Sequence, residues 1–229
     1  MIKHLALVMD GNRRWAQKQG FKPWAGHQAG AQVIQKVLQF CLQKQIPYVS
    51  LYTFSIENFK RSPEELAFLF DMMINEAKKQ LPLFTAHHIR VRFIGQRELF
   101  PEQIRETITL IEEDTRPNSA LQLNLLFCYG GRQDIIGGIK TLVHKIRNAE
   151  LTLDQISDET FSQCLWTSDM PEPDLIIRTG GVKRLSNFLL YQAAYAELCF
   201  LDCLWPEITE TDLEQALAQF KSVQRNYGA

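Results

Sequence analysis

An aspartate, a glycine, an asparagine and two arginines stand together at positions 10–14, directly after the apolar run HLALVM (4–9). A carboxylate is a natural ligand for a hard divalent cation such as Mg²⁺, and turn amides flanked by guanidiniums suit phosphate oxygens. Asp10, Gly11, Asn12, Arg13 and Arg14 therefore read as a metal and phosphate loop, or as a surface turn with a capping acid and solvated arginines. Trp15 reads as packing, and Ala16 favours continuation into a helix. The segment Gly26-His27-x-x-Gly30 offers an imidazole donor, or a histidine that caps or packs a helix.

A second cluster leaves the run YTF (52–54) through Ser55, Ile56, Glu57, Asn58, Phe59 and Arg61. Asn58 carries both donors and an acceptor. An oriented amide suits polar contact near a reacting carbon, where a full charge would be excessive, and it is a weak base. Phe54, Ile56 and Phe59 make the loop amphipathic, as the border of an apolar cavity would be; an ordinary Ser/Asn turn has the same composition. The third cluster, RTGGVKRLSNF (178–188), is the clearest anion site. Its glycines permit close backbone approach. Arg178, Arg184 and Ser186 could converge on a diphosphate, because guanidinium matches phosphate in a bidentate fork. A fourth cluster spans Tyr129 to Asp134. Glu197, a charge within the apolar run 196–202, is either a paired acid or a metal ligand.

Other chemistries lack their signatures. There is no GxxxxGK[ST], no GxGxxG, no G-x-S-x-G and no HExxH, and the five histidines and five cysteines show no zinc spacing. Two phosphate sites, one magnesium-binding carboxylate and abundant apolar lining suit an amphiphilic diphosphate better than a nucleotide or a sugar.

The elements that must carry these clusters alternate. β-rich apolar runs fall at 4–10, 46–54, 89–95, 121–129 and 174–179, with 196–202 either strand or helix. Between them, residues 30–44 carry a 3.6-period stripe. Ser62-Pro63-Glu64-Glu65 is a helix start that predicts a helix to about residue 87. Further helices are expected near 101–115, 132–148, 154–165 and 210–225. The pattern predicts a single α/β domain over 1–229, an open, mostly parallel sheet flanked by helices. In such sheets ligands bind beyond the carboxyl ends of the strands, and all four polar clusters stand at predicted strand ends.

Composition sets the bounds. The 229 residues are 45% hydrophobic, with a net charge of -1, so nothing global argues for nucleic acid. Charge is uneven: residues 1–30 hold five Lys/Arg against one Asp, which fits a local anion site. Five cysteines without a CxxC read as reduced thiols of a cytoplasmic protein. No run is long enough to span a bilayer, which leaves surface contact with a membrane open.

The segments MDGNRRWA (9–16), GHxxG (26–30), YTFSIENFKR (52–61), NLLFCYGGRQDI (124–135), RTGGVKRLSNFLLYQAAYAEL (178–198) and LWP (204–206) together resemble the cis-prenyltransferases, with the undecaprenyl diphosphate synthase type nearest. The resemblance runs from Lys3 to Gly228. It implies an enzyme that extends an allylic diphosphate, commonly farnesyl diphosphate, by cis 1′–4 condensation with isopentenyl diphosphate, with Mg²⁺ as cofactor. It implies that Asp10 is associated with the magnesium ion and that Glu197 is a second metal-associated acid. Gly11, Asn12, Arg13, Arg14 and His27, with Trp15 adjoining, match the allylic diphosphate pocket, and Arg14 is the expected direct contact. Asn58 matches the asparagine near the condensation step, with Ser55, Ile56, Glu57, Phe59 and Arg61 around it. Arg178, Arg184, Leu185 and Ser186 match the isopentenyl diphosphate site. A tunnel for the growing chain is expected near Leu69, Phe70, Met73, Leu121, Leu123 and Leu125, each of which reads equally as core.

Two departures from the family pattern stand out. Pro23 occupies the position of a frequent arginine, with Lys22 beside it as a substitute point charge. Near the C-terminus, Asn226 stands where relatives place an arginine that reaches the partner subunit, and Arg225 lies one step upstream. The resemblance implies a homodimer, and its lipid product implies peripheral membrane contact. Two rival functions remain at this level: a non-catalytic partner subunit of a heteromeric enzyme, and a Mg-dependent phosphatase.

Overall fold

The computed structural model describes residues 2–223; the positions of Arg225 and Asn226 lie outside the described residues. Six strands form one sheet: β1 (His4–Val8), β2 (Tyr48–Ser55), β3 (Ile89–Ile94), β4 (Leu121–Tyr129), β5 (Leu175–Arg178) and β6 (Glu197–Phe200). Their order is β3-β4-β2-β1-β5-β6, and every neighbouring pair is parallel. The run that pattern left open, 196–202, is therefore an edge strand. Parallel strands need crossovers, which cover both faces and make the central strands apolar on both sides. In β1, Leu5 and Leu7 join the larger core while Ala6 and Val8 join the smaller one across the sheet.

The larger core is closed by α2 (Ala25–Gln43), α3 (Pro63–Ala86), α4 (Glu102–Thr115) and α7 (Glu210–Ser222). The remaining helices are α1 (Asn12–Lys18), α5 (Gly131–Arg147) and α6 (Asp158–Ser162). Helix α3 starts as its sequence predicts: Ser62 Oγ accepts from the Glu65 N–H at 3.3 Å, and Pro63 opens the first turn. Helix α2 begins five residues before its apolar stripe. Its Gly26 and Gly30 belong to the helix because a Cβ at either would strike Asn12, and at Gly30 also Trp205. The glycines thus let α2 lie against α1 and the Trp205–Glu207 turn. The expected helix over 154–165 reduces to α6, between a 3₁₀ turn at Leu153–Gln155 and further turns.

The chain leaves β1 towards β2 on one side, whereas β5 leads to β6 on the other. Between β1 and β5 the connections diverge, and that divergence opens a crevice above the strand ends. Asp10 follows β1 and Arg178 ends β5.

Candidate active site

Asp10 and Arg178 meet in that crevice. Arg178 is 4% exposed, and its Nη2 donates to Asp10 Oδ2 at 2.7 Å. The other guanidinium nitrogen, Nη1, donates to the Arg184 carbonyl at 2.5 Å and to Ser186 Oγ at 2.8 Å. Arg184 Nε donates to the same hydroxyl at 3.2 Å. One buried arginine therefore gathers the 184–186 loop and the acid after β1. The Asp10 carbonyl accepts from Thr179 Oγ1 at 2.7 Å and from the Trp205 N–H at 3.0 Å, which pins the first cluster to the third. Arg14 completes the link, donating from Nη1 to the Gly180 carbonyl at 2.8 Å, with Nη2 3.5 Å from Asp10 Oδ1. Gly11 has φ 109°, a left-handed conformation that favours glycine, and a Cβ there would strike Leu204. This explains why the turn into α1 is Asp-Gly.

The loop of Arg178–Ser186 continues through strained backbone. Ser186 (φ 54°), Asn187 (φ 66°) and Leu189 (φ 40°) all have left-handed backbone, an arrangement that surrounding structure must enforce. Asn187 is the enforcing residue. Its carbonyl accepts from the Gly131 N–H at 2.7 Å, its Oδ1 from the Arg132 N–H at 2.9 Å, and its Nδ2 donates to Glu57 Oε1 at 2.8 Å. The YGGR turn after β4 and the second cluster after β2 are thereby tied to the third. Tyr52 stacks on Phe188 at 4.8 Å between ring centroids and donates to the Ser186 carbonyl at 3.3 Å. Burial raises the Tyr52 phenol well above its usual range and keeps it a donor.

Asn58 and Ser55 close the second cluster. The Ser55 N–H donates to Asn58 Oδ1 at 3.0 Å, which orients the amide and leaves its NH₂ group as the donor for other contacts. Buried Glu65 is 3.1 Å from Arg61 and 3.9 Å from Arg13, drawing both guanidiniums to the start of α3. His27 lies in the field of those two cations. Burial, then Arg61 and Arg13, push its pKa down to about 4, so the imidazole is neutral at physiological pH. Its Nε2 is buried with no hydrogen-bond partner, as are Asn12 Oδ1 and Arg178 Nε. Buried polar atoms are ordinarily paired; of four unpaired ones among the described residues, Gln192 Oε1 lies beside Asp134 and Thr167, and the three gathered here mark where a polar ligand belongs.

Part of this set lines a cavity of about 730 Å³, while the expected site residues Gly11, Arg13 and Arg14 stand outside its lining. Asp10, Asn12, His27, Ser55, Glu57, Asn58, Arg61, Arg178, Arg184 and Ser186 line its mouth. The interior runs back between the sheet and the helices α2 and α3, past Leu38, Leu69, Met73, Phe93, Leu123 and Phe127 to Phe84. Of the expected tunnel residues, Leu69, Met73, Leu123 and Leu125 are in this lining; Phe70 packs on Phe54 and Phe127, and Leu121 is buried core.

Several expected site residues stand away from the lining. Lys22 places its ammonium 5.1 Å from the Trp24 ring centroid, and Trp15 packs on Phe21. Phe59 packs on Phe54, and Leu185 joins the smaller core. Ile56 opens the 3₁₀ turn Ile56–Lys60 that carries Asn58. Glu197 begins β6 in register with Leu175, three positions before Arg178, or about 10 Å back along the sheet. The fold does not bring it to Asp10. Residues that motif reading missed are Tyr52, Glu65, Thr179 and Asn187. Of these, Asn187 carried a readable signal, an asparagine after a glycine-rich turn, where left-handed backbone is tolerated.

Magnesium characteristically takes one or two protein carboxylates together with substrate phosphates and waters. Asp10, with its side chain 31% exposed and cations on either side, offers one carboxylate at the edge of an anion pocket. Among the described residues no group of three or more His, Cys, Asp or Glu is placed to hold a metal. The donor set fits an ion shared with a bound phosphate and does not form a protein cage.

A cationic mouth at the switch point of a parallel sheet, opening into a long apolar cavity, defines a protein that holds amphiphilic anions. Known proteins are similar to this chain in sequence and in fold. The family described as "Putative undecaprenyl diphosphate synthase" matches residues 8–228. The ditrans,polycis-undecaprenyl-diphosphate synthase of Legionella pneumophila, farnesyl-diphosphate specific, is 41% identical over 226 residues, 99% of this chain and 95% of that one. A geranylgeranyl-diphosphate-specific tritrans,polycis enzyme of Thermoplasma acidophilum is 39% identical over 99% of this chain and 88% of its own. In structure, lavandulyl diphosphate synthase from Lavandula x intermedia, solved with dimethylallyl diphosphate, superposes with a TM-score of 0.96 at 31% identity, covering 100% of this chain and 98% of that one. The chain belongs to the undecaprenyl diphosphate synthase family of prenyltransferases.

Proposed function

We propose that this protein elongates an allylic diphosphate with isopentenyl diphosphate, forming each new double bond cis and releasing diphosphate. The observation that carries the reading is the joining of two anion clusters, around Asp10–Arg14 and Arg178–Ser186, at the mouth of one apolar cavity. A phosphatase needs only the first of these, and it has no use for a hydrocarbon cavity. A non-catalytic subunit would have no need to keep Asp10, Asn58, Arg178 and Arg184 together.

The α1 turn, with Arg14 and His27, holds the allylic diphosphate, and Arg178, Arg184 and Ser186 hold isopentenyl diphosphate. As the allylic C–O bond breaks, negative charge grows on the departing diphosphate, and guanidiniums fixed beforehand stabilise it without reorganising. Magnesium, when bound at Asp10 with that diphosphate, supplies further charge neutralisation. The isopentenyl double bond attacks the allylic carbon, a carbon–carbon bond forms, and one proton is lost to a base at the mouth. Holding the two carbons in contact supplies much of the rate. Asn58, oriented by the Ser55 N–H, is a positioning group for that step. The lining between α2 and α3 takes the lengthening tail out of water.

The named relatives differ in their allylic partners, farnesyl, geranylgeranyl and dimethylallyl; among these, farnesyl diphosphate is the primer we assign here. The working unit we propose is a homodimer of single-domain subunits. Helix α5 exposes Ile136, Ile139 and Val143 at helical spacing and the edge strand β6 exposes Leu198, apolar surface that a second copy would cover. No described helix is long and apolar enough to cross a membrane; peripheral contact with a bilayer would receive the product.

Incubation of the purified protein with farnesyl diphosphate, labelled isopentenyl diphosphate and Mg²⁺ tests the reading. Label should appear in extended, organic-extractable chains and disappear when the metal is chelated. Hydrolysis of the primer without extension would establish the phosphatase instead, and no reaction with either substrate would favour the non-catalytic subunit.

A further inference from the structure

The deep part of the cavity is not uniformly apolar. Gln35 on α2 donates from Nε2 to Oε1 of Gln80 on α3 at 2.7 Å, and both side chains line the cavity. Glu76, one turn before Gln80, lines it too, with its carboxylate 3.7 Å from Lys79. Ile34, Leu38, Met73, Ala77 and Phe84 line the same cavity, so this part-buried polar patch interrupts an otherwise apolar lining. Gln80 is fifteen residues beyond Glu65 on α3, about 22 Å from the mouth at 1.5 Å per residue. Two residues further, Pro82 interrupts the helix interior. A proline there has no N–H for the preceding turn and loosens the helix locally.

From this geometry we infer that the Gln35–Gln80 pair is a polar clasp between α2 and α3 that stops the growing chain and so sets product length. The inference rests on the prenyl-transfer reading above. The prenyl tail can lengthen within the cavity of about 730 Å³ only as far as the clasp. Beyond that, each further unit must push the tail between the two amides. Parting them breaks a part-buried amide–amide hydrogen bond against a chain that can neither donate nor accept, a cost that opposes the gain from burying one more apolar unit. Elongation slows at that point, and the product dissociates before the next addition. Pro82 places the more yielding stretch of α3 just past the clasp, where helix separation would begin.

The test is the chain-length distribution of labelled product made by the full-length enzyme at saturating isopentenyl diphosphate. In the double variant Gln35→Leu/Gln80→Leu, the amide pair becomes an apolar contact. The product ladder should move to longer chains by about one to two isoprene units, since the desolvation penalty is gone. Gln80→Glu keeps an acceptor for Gln35 while adding charge at the stop, and it should move the ladder the other way. It also keeps the test open if the double variant does not fold. Shifts in these opposite directions are more than a loss of packing can produce, because packing loss has no reason to reverse sign with polarity. An unchanged ladder in a folded variant, from an enzyme that extends its primer normally, would overturn the clasp and leave the prenyl-transfer reading intact. Failure of the unsubstituted enzyme to extend any primer would overturn both.

Discussion

A buried polar network in mid-sheet and the polar mouth above the strand ends obey different rules. In mid-sheet, His4 is wholly buried, and both ring nitrogens have partners: Nδ1 is 2.7 Å from the Pro171 carbonyl and Nε2 is 2.7 Å from Ser50 Oγ. Ser50 accepts in turn from Asn124 Nδ2 at 3.2 Å, and Asn124 Oδ1 from Gln122 Nε2 at 3.0 Å. Above the strand ends, His27 Nε2, Asn12 Oδ1 and Arg178 Nε have none. A satisfied buried network specifies structure, whereas unsatisfied atoms cost stability and persist where function uses them. Burial is the largest cause that brings both histidines down to about 4, so a perturbed pKa does not separate the two zones. Hydrogen-bond satisfaction does.

The largest loss is expected at Asp10. Asp10→Ala removes the carboxylate that Arg178 and Arg14 share, and kcat should fall by about 10³-fold, as for loss of a preorganised electrostatic contact. Steady-state kinetics with varied Mg²⁺ would check it; a loss below tenfold would remove Asp10 from the chemistry. Asn58→Ala should lower kcat by about 10²-fold with KM for both diphosphates changed little, the pattern of a group acting after binding. A rise in KM with kcat intact would make Asn58 a binding residue.

Gly30→Ala acts on the scaffold beneath the mouth. Its new methyl meets Asn12 and Trp205, and such overpacking costs about 1–3 kcal/mol. Thermal unfolding should show a Tm lower by about 2–4 °C for each kcal/mol, as expected for this chain size. An unchanged Tm would mean that α1 and α2 are less closely fitted than their glycines indicate.

The smallest effect separates the histidines. Each has a folded pKa of about 4 against an ordinary 6.5, so the unfolded chain binds more protons between those values. Their contribution to stability is full above about pH 6.5 and is lost as pH falls towards about 4. Inorganic diphosphate should raise the pKa of His27 and leave that of His4 alone. Acid sensitivity of Tm should therefore shrink, without vanishing, when diphosphate is present. An identical pH slope with and without diphosphate would mean that His27 makes no contact with the ligand.

Much of the mouth was legible because polar residues at the ends of apolar runs have few structural reasons to be there. Asp10, Asn58 and Arg178 follow or end three different strands, and parallel topology forces those ends together. Less legible was what depends on register and on helix phase. Glu197 read in sequence as a paired acid or a metal ligand, but its place at the start of β6 and not at its end follows only from strand pairing. Helix α1 is seven residues long and enters through a left-handed glycine, so it offers too little periodicity to see. The 154–165 segment has helical composition, but capped turns at Thr152 and Ser157 break it into short pieces. Gln35 and Gln80 are glutamines on amphipathic helices, which in sequence cannot be told from solvent-facing ones.

The unpaired polar mouth and the apolar interior divide the labour of this protein. A crystal structure of the protein soaked with a non-reactive thiolo analogue of farnesyl diphosphate would test it most directly. The account predicts the diphosphate at the Gly11–Arg14 turn within hydrogen-bonding reach of His27 Nε2, with the prenyl tail lying between α2 and α3 and directed towards Gln35 and Gln80. A diphosphate bound elsewhere, or a tail extending into solvent with the cavity lining undisturbed, would contradict it.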